Sequence, residues 1–350
     1  MNWSSSFRGR DGSFSVMKTR LIGGREVSEI GLGCMNLSHA YGVPPTVDEA
    51  KTLVRRAAEL GVTLFDTAAL YGFGKNEELL GRVLIDIRDR VLITSKCGMT
   101  GVEGRRVIDG RPDSLRRTLD DSLRRLRVNV IDLYYLHRCD KAVPIEDSVG
   151  TLADMVRAGK IRSIGLSEVS AHTLKRAHAV HPIAALQSEY SLWTRNPEIA
   201  VLEECRRLNI AFVAFSPLGR GFLAAGVTDP TRLIAGDLRR TMPRFGEPNW
   251  TSNRTVLHEW IALSRQSGST PAQLALAWVL SRAPHVIPIP GTTSIAHLEE
   301  NLAASTLRVD TTLATEMERI VNRVTVRGSR YPAATQAEID AEEFPEDSFN

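Results

Sequence analysis

The sequence predicts an α/β fold: a (β/α)8 TIM barrel with an N-terminal β-hairpin and extra helices. Three observations lead there. Short apolar runs alternate with amphipathic segments of helical period eight times between residues 30 and 304. Strands separated by helices run parallel, and eight of them close naturally on themselves. Several of those runs end in a polar or ionisable residue: Asp66, Lys96, His137, Ser167, Gln187 and Ser216. In a closed parallel barrel such residues share one rim. The competing architecture, an open doubly wound sheet, usually carries G-x-G-x-x-G after its first strand. Here Ile30-Gly-Leu-Gly-Cys-Met35 has the first two glycines only, and the next helix begins far downstream.

Residues 18–22 and 25–30 flank Gly23-Gly24, a pair suited to a primed hairpin turn. Residues 30–35 form the first barrel strand. Thr46 and Glu49 make a capping box, opening a helix with Ala50, Leu53, Val54, Ala57 and Leu60 on one face and Gly61 as its stop. Residues 62–66 are the second strand and 76–84 its helix. Strand 91–96 precedes helix 112–126, whose leucines 115, 119, 123 and 126 form one stripe. Its arginines lie off that stripe and read as a solvated face. Strands 130–137, 161–167, 183–187 and 210–215 alternate with helices 145–157, 171–179 and 197–208. Residues 217–250 are irregular. Helices 256–266 and 271–282, strand 286–289, and helices 294–304 and 312–321 complete the chain.

The domain reading is one barrel over residues 17–327. Residues 1–16 are Ser/Gly/Arg-rich without an apolar h-region, so they are expected to be a disordered extension, with Met17 a candidate native start. The segment 328–350 is an acidic tail; after Arg330 it carries six acids and no base. It is expected to be a solvated end, with an acidic docking arm as the alternative.

Among the 350 residues, 43% are hydrophobic and 24% charged, and the net charge is +3. Those totals are those of a globular domain and give no strong pull on nucleic acid or anionic membrane. No apolar run reaches the roughly 18 residues needed to span a bilayer. The four cysteines, at 34, 97, 139 and 205, show no paired spacing. A reducing, cytoplasmic setting is expected.

The strand-end residues suit acid catalysis on a carbonyl. Tyr71, just past the second strand, is the candidate proton donor, although a phenol with a pKa near 10 is a weak acid at neutral pH. An ammonium about 4 Å away attracts phenolate by roughly 4 kcal/mol at an effective dielectric of about 20. Lys96 is therefore expected to lower the phenol's pKa, with Asp66 holding Lys96 charged. His137 hydrogen-bonds the carbonyl oxygen or shares the phenol's proton. None of these residues carries a hydride, so a nicotinamide cofactor is implied. Phe215 offers it an aromatic face, and Ser167 and Gln187 suit its carboxamide. Ser216-Pro217-Leu218-Gly219-Arg220-Gly221 can wrap a pyrophosphate. Gly291-Thr292-Thr293-Ser294, opening a helix, can hold a phosphate at the positive end of the helix dipole. Phe73, Trp193 and Trp250, with Tyr41, are candidates for an apolar substrate rim.

These pieces resemble the aldo-keto reductase superfamily over residues 17 to about 327. The matching motifs are Phe65-Asp-Thr-Ala68 with Tyr71-Gly72, Thr94-Ser-Lys96, Ile131-Asp-Leu-Tyr-Tyr-Leu-His137, Ile164-Gly-Leu-Ser167, Gln187-Ser-Glu-Tyr-Ser191, Phe215-Ser-Pro-Leu-Gly219, and Ile289-Pro-Gly-Thr292 with Leu298-Glu-Glu-Asn301. The likeness is strongest to bacterial and plant-type members with the Pro-Leu-Gly-Arg-Gly loop. It implies that Asp66, Tyr71, Lys96 and His137 are a catalytic tetrad. It also implies reversible hydride transfer from NADPH to an aldehyde or ketone, with Glu300 and Asn301 in the cofactor site. One departure stands out. NADPH-preferring relatives carry Lys or Arg where this chain has Thr293, Ser294 and His297. NADP(H) is the favoured cofactor, with NAD(H) or dual use open.

Two rivals are carried forward. One is a regulatory barrel that binds nicotinamide as a redox sensor with slow or no turnover. The other is a metal-dependent hydrolase using Asp66, His137 and Cys139, which would need several ligands in open geometry.

Overall fold

The computed structural model describes residues 6–8, 14–102 and 105–344. Two short strands, β1 (Ser6–Arg8) and β2 (Phe14–Val16), pair antiparallel. The expectation of a disordered extension covers residues 1–16, of which only these six are described. Residues 1–5 and 9–13 lie outside the described residues. The expected hairpin follows as β3 (Thr19–Ile22) and β4 (Arg25–Ser28).

The barrel starts with β5 (Leu32–Gly33), shorter than expected because the chain turns into a 3-10 segment at Met35–Leu37. Then come α1 (Val47–Glu59), β6 (Leu64–Asp66), α2 (Lys75–Val83) and β7 (Leu92–Cys97). The Thr46 capping box forms, with Thr46 Oγ1 accepting from the Glu49 amide and Glu49 accepting from the Thr46 amide. A hairpin that the sequence reading missed, β8 (Met99–Val102) and β9 (Arg105–Ile108), is inserted next. Gly98, Gly101 and Gly104 break the apolar alternation that would have announced it. The alternation resumes with α3 (Pro112–Leu126), β10 (Ile131–Leu136), α4 (Ile145–Arg157), β11 (Ile161–Ser167), α5 (Ala171–Val180), β12 (Ile183–Glu189), α6 (Val201–Arg207) and β13 (Ala211–Phe215). The helix expected over 197–208 splits into a 3-10 turn and α6, because Ala200 leaves the helical region at φ −153°. The irregular stretch contains only 3-10 turns before α7 (Asn249–Gln266), and α8 (Pro271–Arg282), β14 (Val286–Pro288), α9 (Ile295–Ala303), α10 (Thr311–Ile320) and α11 (Ala333–Gln336) follow. Helix α7 begins well before residue 256: its polar first turns bury Trp250 and Asn253, an anchor that periodicity does not show.

Eight parallel strands form one sheet from β5 to β14. The ends meet through Gly31 N donating to Pro288 O at 3.0 Å and Gly33 N donating to Pro290 O at 3.3 Å. A Cβ on Gly33 would sit 2.7 Å from Ile289 O, so only glycine lets the ends approach this closely.

Strand side chains alternate between faces with period two. Leu64, Leu92, Leu133, Tyr135, Ala185, Ala211, Val213 and Ile287 pack together as the barrel interior, with Ile22 and Val27 of the hairpin in the same cluster. Counting two residues onward from Leu64, Tyr135 and Ala185 gives Asp66, His137 and Gln187; four onward from Leu92 gives Lys96. The parity that fills the barrel with leucine and tyrosine thus delivers the polar residues to one mouth.

The tail departs from expectation. Tyr331 and Ile339 are buried, Asp340 bridges to Val169, and Arg330 is an almost fully buried cation. The described tail residues are docked on the barrel. What composition hides is that its apolar residues and Arg330 have partners at the strand ends. Among the described residues, no helix is long and apolar enough to cross a membrane.

Candidate active site

Asp66 and Lys96 meet at the barrel mouth. Lys96 Nζ donates to Asp66 Oδ1 at 2.5 Å, to Thr67 O at 2.8 Å and to the Tyr71 hydroxyl at 3.2 Å. The other Asp66 oxygen accepts from Thr94 Oγ1 at 2.6 Å and Gln187 Nε2 at 2.7 Å. Asp66 is thereby fixed in place. The His137 ring meets the Tyr71 ring edge-on, with centroids 5.8 Å apart. Below them, Gly165 makes room for Tyr135, whose ring a Cβ would approach to 2.3 Å.

Burial sets the proton states. It pushes the Tyr71 phenol above its ordinary value, outweighing the lowering effect of the Lys96 ammonium. The expectation that Lys96 drives Tyr71 towards phenolate is therefore corrected, because loss of solvent outweighs the ammonium. Burial opposes the Lys96 charge, but Asp66 and Tyr71 together leave its pKa raised, so it stays an ammonium. His137 falls well below its usual range through burial and the charges of Lys96, Arg138 and Arg106. The site is thus a neutral phenol, a fixed cation and a neutral imidazole, an arrangement able to donate a proton to an oxygen that becomes an alkoxide.

A cleft of about 920 Å³ opens over these groups, within the range of cofactor and ligand pockets. Of the expected cofactor residues, it is lined by Ser167, Gln187, Phe215, Ser216, Pro217, Leu218, Arg220, Gly221, Gly291, Thr292, Thr293, His297, Glu300 and Asn301. Gly219 is buried behind the loop, and Ser294 caps α9, accepting from the His297 amide. Ser216, Gly219, Arg220 and Gly221 all have positive φ. Closely spaced left-handed residues turn amides into an anion-binding concavity. Gly291 has no space for a side chain: its Cβ would lie 2.9 Å from both Gly33 O and Asn36 Oδ1. Asn36 Oδ1 and His137 Nδ1 are buried without partners, as expected of a cleft that completes its polar groups with a ligand. These features fit a dinucleotide.

Other expectations need correction. Arg220 lines the cleft, but its guanidinium is committed: it donates to Glu189 Oε2 at 2.7 Å, Tyr331 Oη at 2.7 Å and Tyr41 Oη at 3.0 Å. It braces the loop from behind. The Gln187 amide nitrogen is likewise given to Asp66. Phe73 lines the cleft and is 61% exposed, and Tyr41 also lines it. Trp193 and Trp250 do not. They are buried with Phe222 and Phe245 in an aromatic cluster under the loop, where Gly219 lies against Trp193. Indole size makes such residues efficient packing anchors, and sequence alone does not separate that role from a rim.

Sequence reading missed several cleft residues. The His39 ring lies tilted beside that of Tyr71, with centroids 5.6 Å apart. Arg106 comes from the unforeseen hairpin, Tyr331 and Thr335 from the docked tail, and Arg138 follows His137 directly. Of these, only Arg138 carried a sequence signal, its adjacency to a strand-end histidine.

The sequence matches the Aldo/keto reductase family over residues 29–322. It is 40% identical over 329 residues to a Schizosaccharomyces pombe protein named aldo-keto reductase yakc [NADP(+)], covering 92% of this chain and 96% of that one. It is 41% identical over 312 residues to a probable aldo-keto reductase 1 from Glycine max, covering 88% and 89%. Among solved structures, a glycerol dehydrogenase from Gluconobacter oxydans superposes with a TM-score of 0.79 at 26% identity, over 93% of this chain and 98% of that chain. A thermostable aldo-keto reductase solved with the inhibitor epalrestat gives 0.69 at 28% identity, over 87% and 100%.

Proposed function

The chain belongs to the aldo/keto reductase family, and from that premise we propose that it reduces an aldehyde or ketone reversibly with NADP(H), Tyr71 being the proton donor. The observation that carries the reading is the Tyr71 hydroxyl, protonated by burial and 3.2 Å from a lysine held charged by Asp66. A bound nicotinamide would supply the hydride. Phe215, Ser167 and the amides around Ser216–Gly221 and Gly291–Ser294 are the residues that would hold it. Tyr71 donates the proton to the carbonyl oxygen as negative charge develops there, and Lys96 stabilises the resulting phenolate. Neutral His137 can hydrogen-bond the same oxygen without competing for the proton. Low water access strengthens each of these interactions.

NADP(H) rests on the Schizosaccharomyces pombe relative named for NADP(+) and on the hydroxyls of Thr293 and Ser294 beside His297. An absorbance assay at the reduced-nicotinamide band, with both cofactors against aldehydes, ketones and sugars, tests the proposal. Carbonyl-dependent oxidation of NADPH supports it. No turnover with any carbonyl, despite tight cofactor binding, would favour the redox-sensor reading instead.

A further inference from the structure

Four arginines line the cleft: Arg106, Arg138, Arg220 and Arg239. Three face a carboxylate. Arg106 pairs with Glu338, Arg220 with Glu189 at 2.7 Å and Arg239 with Asp237 at 2.6 Å. Arg138 has no carboxylate partner among the described residues, although it is buried. Its Nη1 makes both of its hydrogen bonds, to His137 O at 2.7 Å and Ser167 Oγ at 3.2 Å. Nε and Nη2 donate to nothing among the described residues, and neither is among the sealed, orphaned atoms. Those two nitrogens form one edge of the guanidinium, spaced for the two oxygens of a carboxylate.

A buried cation without a counter-charge is costly unless a ligand supplies one. The neighbouring groups do not. Asp66 is taken by Lys96, Thr94 and Gln187. The protein therefore holds an open fork beside the reacting centre, pinned through Nη1 by His137 O and Ser167 Oγ. Its charge also bears on Tyr71 and His137, which places it within electrostatic reach of both.

We propose that Arg138 is a substrate-recognition residue and that the preferred substrates are carbonyl compounds bearing a carboxylate, gripped by the free edge of Arg138 while the carbonyl oxygen faces Tyr71. This rests on the reductase reading above and adds a substrate class to it. Arg106, on the β8–β9 hairpin, lines the same cleft but is already paired with Glu338, which leaves Arg138, among the described residues, as the cation open to a ligand carboxylate.

The test compares 2-, 3- and 4-formylbenzoate with their methyl esters, with NADPH, in the wild type, Arg138→Gln and Arg138→Lys. Each pair shares its ring and aldehyde and differs mainly in charge. In the wild type, at least one formylbenzoate should exceed its ester in kcat/KM by roughly ten- to a hundredfold, the range a charge-assisted hydrogen-bond pair contributes. That ratio should collapse towards one in Arg138→Gln and be partly restored in Arg138→Lys. Competitive inhibition of the wild type by benzoate but not benzamide gives the same reading without any variant. If the esters are reduced as well as the acids by the wild type, the proposal is overturned while the reductase reading stands. If Arg138→Gln raises the KM for NADPH and lowers acid and ester in parallel, Arg138 serves the cofactor and the proposal is again overturned. If no aldehyde is reduced at all, the reductase reading itself fails.

Discussion

The Tyr71 hydroxyl lies 3.2 Å from Lys96 Nζ and keeps its proton. Two opposed effects meet there. Loss of solvent favours the neutral phenol and the ammonium favours phenolate, and solvent loss is the larger. A donor that is loaded in the resting protein, with a cation already in place to receive its negative charge, suits the proton-donating half of the proposed reversible reaction.

Carbonyl reduction should therefore show a plateau in kcat/KM across pH 6 to 9, falling only at pH values above the ordinary phenol range. His137, depressed well below its usual value, should add no limb near pH 6.5. An initial-rate profile against pH checks this; a descending limb near neutrality would contradict it.

Stability should depend on acid in two stages. Below about pH 6.5 the unfolded chain protonates His137 but the folded chain does not, so stability falls as pH drops through that region. Glu189, held at about 2 by Arg220, Arg330 and Arg244 despite burial, adds stability that is present above its unfolded value and lost as pH falls towards 2. Thermal melts from pH 8 to 3 should fall in these windows, and His137→Gln should flatten the first.

Removing half of the buried Asp66–Lys96 pair strands the other charge. Asp66→Asn or Lys96→Met should each cost about 3–5 kcal/mol of folding stability as well as activity. The double variant, which buries no lone charge, should melt at or above either single one. Additive losses in denaturant titrations would argue that the pair is not coupled.

Glu189 joins two parts of the cleft wall. It accepts from Arg220 of the cofactor-facing loop and from Arg330 of the tail at 3.3 Å, while Arg330 also pairs with Glu168 at 2.7 Å. Glu189→Gln should destabilise the protein by about 3–5 kcal/mol. Limited proteolysis should then cleave between residues 328 and 344 faster than in the wild type.

On the proposed reading, the preference for NADP(H) over NAD(H) should shift with a single substitution at His297. His297 stands where NADPH-preferring relatives are expected to carry a base. His297→Arg should lower the KM for NADPH by about tenfold, as an added charge-assisted contact, and leave the KM for NADH nearly unchanged. Equal changes for both cofactors would remove His297 from the 2′-phosphate region.

The barrel and the clustering of Asp66, Tyr71, Lys96 and His137 were legible because they depend on local pattern. Strand parity sends every second residue inward, and the last inward residue of each strand reaches the mouth. The β8–β9 hairpin was not legible, since its glycines erase alternation. Nor was the docking of the tail, whose anchors include two ion pairs from Arg330, to Glu168 and Glu189, more than 140 positions earlier. Trp193 and Trp250 were misplaced because an aromatic side chain packs as readily beneath a loop as on a rim. The sign of the Tyr71 shift needed its burial, which no sequence prints.

The most direct measurement is single-turnover reduction of an aldehyde by Tyr71→Phe loaded with NADPH, followed by stopped-flow absorbance. Loss of general-acid catalysis should slow oxidation of the bound cofactor by about 10²–10⁴-fold, with cofactor affinity within a few-fold of wild type. Near-native oxidation of bound NADPH by Tyr71→Phe would mean that the proton comes from elsewhere.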